Sequence, residues 1–548
     1  MTPARTFSGS RWLGFLAIVL SAWPARAAET PEAAAPADSA GPIHAPVPAD
    51  TADTAESAEA PSGHAGKAAP DSALPAIPIS LEDMIKEVLL NNPQVHRARL
   101  AWRASEKAAR AAWGGFEPEL AASLQRTAIE RERGRFLESS EECNVEVEGI
   151  LPIGTKYSLG FTLKDYENPV YTLDDPNAFA GVTLTQPLLK GILHGAPMTT
   201  VRLARSDRRI AYHAFRARLM QVLREAEEAY WQLAFAETKY RYALESVEIA
   251  RELVKDSRAW LGTGKISQLE MMESEAGLDF RAAALADARQ EYLEAAGVLR
   301  ILLARQDGSG LPLSAATPLA DGGGGAFPAE DTASAVRRAF HPDLLIRDLE
   351  IDKEEAGVDF RLFQSLPELN MKYRYGYNGV GGSRGQALYE LAERYQETWS
   401  FGLEIKIPLF LGLDSRNQLS RARLQRRMAR KEMQALDFEL EARLRSLSQR
   451  DSSQVERMRS AEKVVRYREK LMEAERSMRK AGKSNSRLVY EAEERLAQAR
   501  QWALETRVKH RITRLQIAAM AGVLLKDRGL EGLHSGGPRL ASDLVAEE

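Results

Sequence analysis

The sequence contains the same order of features twice, and this duplication limits the possible folds more than any single motif does. In the first repeat, Asn91-Asn92-Pro93 precedes a helical stretch that ends at Pro118-Glu119-Leu120; in the second, His341-Pro342 precedes one that ends at Pro367-Glu368-Leu369. The spacing between the two prolines is the same in both repeats. A repeat of this length indicates one body with two-fold pseudo-symmetry rather than several independent domains.

Each repeat ends in two long helical segments joined by a short turn. Residues 199–261 contain neither Pro nor Gly, and from Val222 to Leu261 their apolar seam has the 4-3 spacing of a coiled coil. The partner segment 267–304 is predicted to continue the seam at Leu278, Ala282, Leu285, Arg289, Tyr292, Ala296, Leu299 and Leu303. The second repeat predicts the same pair at 415–479 and 487–521. We expect two antiparallel helical hairpins.

Alternating segments precede the long helices in both repeats. Residues 118–187 are predicted to be β, with an additional hairpin at 143–166, and the second repeat alternates over 369–377 and 399–407. Such strands fit either a soluble, half-buried sheet or a transmembrane barrel with its apolar side chains outside. For the barrel, the candidate lipid-facing residues are Tyr373, Tyr375, Trp399, Phe401, Leu403 and Ile405.

The number of strands bears on which of these two explanations can hold. One chain has too few strands to close a wide barrel, and lipid does not tolerate an open sheet edge. A membrane location would therefore require several chains to share one barrel. Pro187 and Pro408 mark the passage from strand to helix, since proline readily ends a strand and begins a helix.

The N-terminal region predicts export of the chain. Arg5 and Arg11, an apolar run over 12–23 and the sequence Ala25-Arg26-Ala27 predict a cleaved signal peptide at residues 1–27. Residues 28–78 are rich in Ala, Pro, Asp and Ser and are predicted to be disordered. The remaining divisions are a first repeat at 79–305, a flexible linker at 306–331, a second repeat at 332–522 and a loose tail at 523–548.

Composition argues against several classes of function. The net charge of −3 gives no basic footprint for nucleic acid, and the single cysteine, Cys143, excludes an intrachain disulfide framework. The eight histidines are scattered and form no metal-binding or catalytic motif, and no phosphate-binding loop is present. We expect no catalytic site, no metal site and no cofactor.

The order, duplication and spacing of these features resemble the TolC family of outer-membrane efflux proteins. The residues that carry the resemblance are the Asn-Pro and His-Pro helix starts, the strand exits at 186–191 and 407–412, and the Gly-Lys turns at 264–265 and 482–483. The resemblance covers roughly residues 79–522. It implies a mainly α fold with β, in which a homotrimer forms one outer-membrane β-barrel continued by a periplasmic α-helical barrel. It also implies contact with outer-membrane lipid in a Gram-negative bacterium, a periplasmic adaptor (a membrane fusion protein) and an inner-membrane transporter of the RND or ABC type.

The resemblance also suggests roles for residues near the helical turns. Carboxylates near the turns would ring the periplasmic aperture, and the candidates here are Asp256, Glu473 and Glu475; the alternative is ordinary solvated helix charge. The turns themselves would dock the adaptor through Gly262, Gly264, Lys265, Ser267, Gly482, Lys483 and Ser484. Here the alternative is turn chemistry alone.

These inferences lead to one expected function and one alternative from another class. The expected function is a passive duct that carries drugs, other small molecules or, as in type I secretion, proteins from an inner-membrane pump to the outside. The alternative is a periplasmic coiled-coil scaffold with a small soluble sheet and no membrane barrel. Partition into the outer membrane distinguishes the two.

Overall fold

The computed structural model describes residues 74–130, 137–167, 176–192, 195–305, 311–317, 336–394, 396–407, 412–481 and 483–530. The signal peptide at 1–27, most of the segment 28–78, Pro408, Gly482 and the tail beyond 530 lie outside the described residues.

The described chain follows the predicted order of helices and strands in both repeats. The first repeat comprises β1 (Ile77–Ile79), α1 (Leu81–Asn91), α2 (Pro93–Ala111), β2 (Glu119–Glu130), β3 (Leu137–Ile150), β4 (Lys156–Glu167), β5 (Asn177–Pro187), α3 (Ala196–Gly262) and α4 (Gln268–Leu303). Strand β6 (Leu313–Ala315) lies between the repeats. The second repeat comprises α5 (Pro342–Gln364), β7 (Glu368–Val380), α6 (Arg384–Glu393), β8 (Gln396–Lys406), α7 (Leu413–Lys480) and α8 (Ser486–Met520), and α9 (Leu524–Asp527) follows it. The prediction of a mainly helical fold with β structure is confirmed.

Local sequence explains where the first helices begin and end. The Ser80 hydroxyl accepts a hydrogen bond from the Asp83 amide at 3.1 Å and caps α1. Asn92 separates α1 from α2 because Pro93 disfavours helical backbone at the residue before it, and its side chain then caps α2 through the Gln94 amide. The long helices α3 and α7 have 67 and 68 residues, so each extends for roughly 100 Å.

The long helices pack as two hairpins, α3 with α4 and α7 with α8. The predicted seam of α3 is buried at Val222, Ala226, Ala229, Leu233, Ala236, Tyr240, Val247, Ala250, Val254 and Ser257. The seam of α4 corrects the prediction at two positions, because Ala282 and Arg289 are exposed while Arg281 and Ala288 are buried. The heptad of α4 thus passes through a charged residue.

The strands of both repeats form one antiparallel sheet in the order β2-β3-β4-β5-β7-β8. The predicted extra hairpin is present as β3 and β4, so the first repeat contributes four strands and the second contributes two. Helices α2, α3, α5 and α7 join the sheet at one end, which we call the helical end, whereas α6 lies at the other end, between β7 and β8. The described connection between β3 and β4 also lies at the helical end, whereas the connections β2–β3, β4–β5 and β7–β8 lie at the opposite, loop end.

A second, two-stranded sheet corrects the predicted linker and disordered segment. Strand β6 lies inside 306–331 and pairs in parallel with β1. The Tyr230 hydroxyl, buried in α3, donates to the Ile79 carbonyl and accepts from the Thr317 amide. Strands of three residues carry too little periodicity to be recognised in a Pro- and Gly-rich sequence. The loose tail is corrected likewise, since Leu524 and Leu525 of α9 are buried.

His341, the landmark of the second repeat, lies buried where α5 meets the end of α8. It is 3 % exposed, and the backbone of Gly522, at φ +75°, packs directly against it. Burial lowers the pKa of His341; the Arg337 guanidinium acts in the same direction and Asp343 opposes it. The folded protein therefore holds this imidazole neutral at a pH at which the unfolded chain takes up a proton.

We expect the thermal stability to fall as the pH is lowered from about 7.5 to about 5.5, because below about pH 6.5 the unfolded state binds more protons than the folded state. The variant His341→Asn should flatten this dependence in melting followed by circular dichroism. The control His96→Asn, at an exposed histidine, should keep the wild-type profile because His341 is still present. An unchanged slope in His341→Asn would contradict the assignment.

Candidate functional site: the sheet faces and the hairpin tips

The register of the six strands places one apolar row after another on the same face of the sheet. One row runs through Leu120, Val147, Leu159, Val182, Tyr375 and Trp399, from β2 to β8. The next rows pair Tyr373 with Phe401, Met371 with Leu403 and Leu369 with Ile405. All six candidate lipid-facing residues therefore lie on this apolar face, and those of β8 are between 58 and 68 % exposed.

The opposite face of the sheet is polar from edge to edge. Lys164 of β4 pairs with Glu142 of β3 at 3.0 Å, and Lys372 of β7 pairs with Glu404 of β8 at 2.7 Å. The Ser158 hydroxyl donates to Glu146 across β3 and β4. Exposed pairs of this kind contribute little to stability, but they make this face compatible with water.

A charged cluster bounds the apolar face near the loop end. Arg384, in α6, donates to Asp165 and also to Glu141 at 2.6 Å, and Arg126 lies 3.4 Å from Glu141. Helix α6 lies over β7 here, so close that a Cβ on Gly379 would meet the Ala387 carbonyl oxygen at 2.0 Å. The apolar face is thus a band with a charged limit on this side.

A tight turn connects β3 to β4 at the helical end of the sheet. The Leu151 amide donates to the Thr155 carbonyl at 2.8 Å, and the Thr155 hydroxyl donates to Gln186 at the end of β5. Gly154 has φ +91°, and a Cβ there would lie 2.6 Å from the Gly191 carbonyl oxygen. Pro187 is the last residue of β5, as the sequence predicted for a strand exit.

The two hairpin tips close with the same backbone hydrogen bond. The Lys265 amide donates to the Trp260 carbonyl, and the Lys483 amide donates to the Met478 carbonyl, each at 2.9 Å. This bond is typical of a helix that ends in a left-handed glycine, and Gly264 has φ +72°. Ser267 and Asn485 then cap the return helices. Lys265 and Lys483 are exposed, and a Cβ on Gly262 or Gly264 would meet nothing within 4 Å.

The aperture candidates differ in their surroundings. Asp256 and Glu473 are exposed on α3 and α7, whereas Glu475 is half-buried and accepts a hydrogen bond from the Ser484 hydroxyl at 2.9 Å. Glu475 therefore stabilises its own turn. Asp256 lies close enough to Arg479 to oppose the lowering of the Arg479 pKa that burial causes.

Arg479 connects the two hairpins near their tips, and sequence reasoning missed it. Its guanidinium donates to the Ser257 hydroxyl at 2.8 Å and lies 5.1 Å from the centre of the Trp260 ring. Ser257 in turn lies 3.0 Å from Ser274 of α4. An arginine at the end of α7 thus binds α3 of the other hairpin, and Ser257 links this contact to α4.

A buried ion pair joins the hairpins farther from the tips. Arg281 of α4 donates twice to Glu493 of α8, at 2.9 and 2.7 Å, and the two side chains are 10 and 7 % exposed. Ser246 of α3 donates to the other oxygen of Glu493 at 2.5 Å. The Tyr490 ring lies against Gly277 and 4.4 Å from the Arg281 guanidinium, and its hydroxyl donates to the Ser274 carbonyl. Three helices thus meet at one satisfied polar cluster.

The sequence did contain a signal for this cluster. Val489, Glu493, Leu496 and Ala503 follow heptad spacing, and so do Ser274, Leu278, Arg281 and Leu285. A charged residue at a seam position of a coiled coil commonly fixes register and partner choice.

In the described part of the chain, no group of three His, Cys, Asp or Glu side chains could hold a metal ion. None of the described helices is both long enough and apolar enough to cross a membrane.

The comparisons with known proteins identify the family. The model of the outer membrane efflux protein family matches residues 84–305 and 337–523, so the chain belongs to this family. Comparison with curated protein sequences gave no significant match. The family and the channel structures below support a channel rather than an enzyme.

Solved structures share the fold at low sequence identity. The chain is similar to the Campylobacter jejuni CmeC outer membrane channel, with 13 % identity, a TM-score of 0.60 and coverage of 83 % of this chain and 89 % of that one. It is similar to CusC, described by its transmembrane channel formation, with 14 % identity, a TM-score of 0.61 and coverage of 83 and 99 %. The Neisseria gonorrhoeae MtrE outer membrane channel, in its open state, gives 16 % identity, a TM-score of 0.55 and coverage of 81 and 89 %.

The buried pair generates a stability prediction. Arg281→Met should destabilise the protein by about 3–5 kcal/mol, because it leaves Glu493 buried without its cation, and Arg281→Met/Glu493→Leu should recover much of that loss. The control is Arg258→Met, which removes an exposed pair with Glu275 at 3.3 Å and should cost less than about 1 kcal/mol. Chemical or thermal unfolding of the purified protein measures both, and equal losses in the two single variants would contradict a structural role for the buried pair.

Proposed function

We propose that the protein is the outer-membrane duct of an export system, formed by three copies of the chain. The observation that carries this proposal is the sheet, which has a continuous apolar band on one face and is mainly polar on the other. A transmembrane barrel requires this division, with lipid against the apolar face and water in the lumen. A single six-stranded sheet has two open edges, which lipid does not tolerate, so neighbouring protomers would pair with them.

The helical hairpins would form the periplasmic part of the duct. In one protomer α7 leaves large apolar side chains exposed along its length, at Leu424, Met428, Phe438, Tyr467 and Leu471. Packing against the helices of neighbouring protomers would cover these side chains and close a helical tunnel below the barrel.

The energy for transport would come from partners rather than from the duct. The turns at 262–267 and 481–485, in which Lys265 and Lys483 are exposed, are the proposed docking points for a periplasmic adaptor, which would connect the duct to an inner-membrane pump of the RND or ABC type. The two tips lie together in one protomer, because the Ser486 amide donates to Glu270 of the other hairpin at 3.5 Å. An adaptor could therefore contact both at once. Glu473 and Asp256, both exposed, would face the narrow end of the tunnel in three-fold rings.

The alternative of a periplasmic scaffold makes a different prediction for the apolar face. A soluble protein rarely leaves a continuous band such as Phe401, Leu403 and Ile405 uncovered. Membrane fractionation separates the two functions. A duct is recovered from the outer membrane only with detergent, whereas recovery in the soluble periplasmic fraction would contradict the duct.

We expect a photo-crosslinking amino acid in place of Lys265 or Lys483 to capture a periplasmic adaptor in intact cells, because both side chains project from the exposed tips. The matched control replaces Lys431, which is exposed near the sheet end of α7 and should capture no adaptor. Mass spectrometry identifies the adduct and therefore the class of adaptor. Equal capture from Lys431, or none from the tips of a protein that does reach the outer membrane, would contradict docking at the tips.

A further inference from the structure

The outlines of the six-stranded sheet show a regular stagger. Glu119, the first residue of β2, begins a row of paired residues that crosses the sheet. The row continues through Glu148, Ser158, Thr183 and Arg374 and ends at Ser400 of β8. Strand β8 nevertheless continues to Lys406, which is six residues beyond Ser400 at the helical end. At the loop end β8 stops short of β2 by a similar amount. The sheet is therefore a parallelogram rather than a rectangle.

This stagger corresponds to a definite tilt of the strands. Six residues are roughly 20 Å along a strand, and six strand spacings are roughly 29 Å across the sheet, so level ends require a tilt of about 35°. Closed membrane barrels have strand tilts of about 35–45°. Copies of a sheet with this stagger can form a closed barrel when β2 of one protomer begins level with the last residue of β8 of its neighbour.

The two edges are also complementary in charge on the polar face. At the β2 edge, Glu119 lies directly opposite Glu148, an unfavourable pairing of like charges, and both side chains are exposed. At the β8 edge, Glu404 binds Lys372 at 2.7 Å and Lys406 at 2.8 Å, and Glu368 lies opposite Lys406, so the pairs at this edge are of opposite charge and Lys406 is the cation at the end of the open edge. Bringing the edges together places Lys406 beside Glu119 and Glu148.

The directions of β8 and β2 and the position of the apolar face are consistent with the register that places Lys406 opposite Glu119. Strand β2 runs from the helical end to the loop end and β8 runs back, so β8 of one protomer meets β2 of the next in antiparallel orientation. With Lys406 opposite Glu119, Leu120 lies beside Ile405 and Leu124 beside Phe401. All four of these apolar side chains are more than half exposed in a single protomer.

We infer that three protomers close an eighteen-stranded barrel, an inference that rests on the proposed duct. In the seam, β8 of one protomer pairs with β2 of the next, and Lys406 lies opposite Glu119 of that next protomer. The β3–β4 hairpin is part of this wall, because both strands are paired along their lengths with β2 and β5. Eighteen strands about 4.8 Å apart at this tilt give a backbone diameter of roughly 34 Å, against roughly 23 Å for the twelve strands that would remain without the hairpin.

Disulfide crosslinking tests the seam. In a Cys143→Ser background, the pair Ser123→Cys and Gly402→Cys occupies partner positions of the inferred register on the polar face. Ser123 is exposed, and a Cβ on Gly402 meets nothing within 4 Å. Within one protomer these residues lie on opposite edges of the sheet, five strand spacings or about 24 Å apart, so a disulfide can form only between protomers.

We expect oxidation in intact cells to convert most of the double variant into a covalent trimer that reductant returns to monomer, with each single variant remaining monomeric. The matched control Ser123→Cys/Thr398→Cys, displaced by four residues along β8, should give little product. Species larger than a trimer would overturn the eighteen-strand closure. A crosslink within one protomer between Ser123→Cys and Phe179→Cys, which lie in the same row, would overturn it as well, since it would place β5 beside β2 and the hairpin outside the wall.

Fractionation of the same cells separates this inference from the proposed function. Protein in the outer membrane that captures an adaptor but forms no Ser123–Gly402 crosslink would overturn the seam alone. Protein in the soluble periplasmic fraction would overturn the duct itself.

Discussion

The register of the six strands is the constraint on which the rest of the structure depends. Side chains alternate between the two faces with a period of two, so a slip of one residue in any pairing would carry apolar side chains to the polar face. The register is maintained from Leu120 to Trp399 across strands from both repeats. The turn at 151–155 helps to hold it, because Gly154 packs against Gly191 and Thr155 binds Gln186. Helices α2, α3, α5 and α7 join the sheet at one common end, which sets where the hairpins lie.

The two hairpins have apolar seams with polar residues at selected points. Small seam residues such as Ala226 and Ala250 permit close packing and specify little about register. The pairs Arg281–Glu493 and Arg479–Ser257 are directional, so they fix how one hairpin lies against the other. Buried ion pairs contribute little net stability relative to well-packed apolar residues, and their attested use is to specify an arrangement. Both pairs lie in the half of the hairpins that leads to the tips, so they hold the two repeats together there.

Periodicity predicted the long elements and failed on the short ones. The helices α3, α4, α7 and α8 begin and end within a few residues of their predicted limits, since a heptad repeated many times leaves little ambiguity. The hairpin at 143–166 was predictable from alternation, whereas β1 and β6 are too short to alternate recognisably. Arg281 was missed because the predicted seam passed from Leu278 to Ala282, four residues on, whereas the buried position lies three residues on. The stagger of the sheet could not be read from the sequence because it depends on which residues face each other across strands.

The unequal division of strands between the repeats has a consequence for how such proteins can diverge. The additional pair β3–β4 enters and leaves the wall at the loop end, so the chain direction at β5 is the same as it would be without the pair. A single added strand would reverse that direction and send the following helix to the wrong side of the membrane. In a three-fold assembly, insertions can therefore enlarge the pore only in steps of six strands. The diameter of the pore would therefore change in discrete steps between related proteins, rather than gradually by substitution.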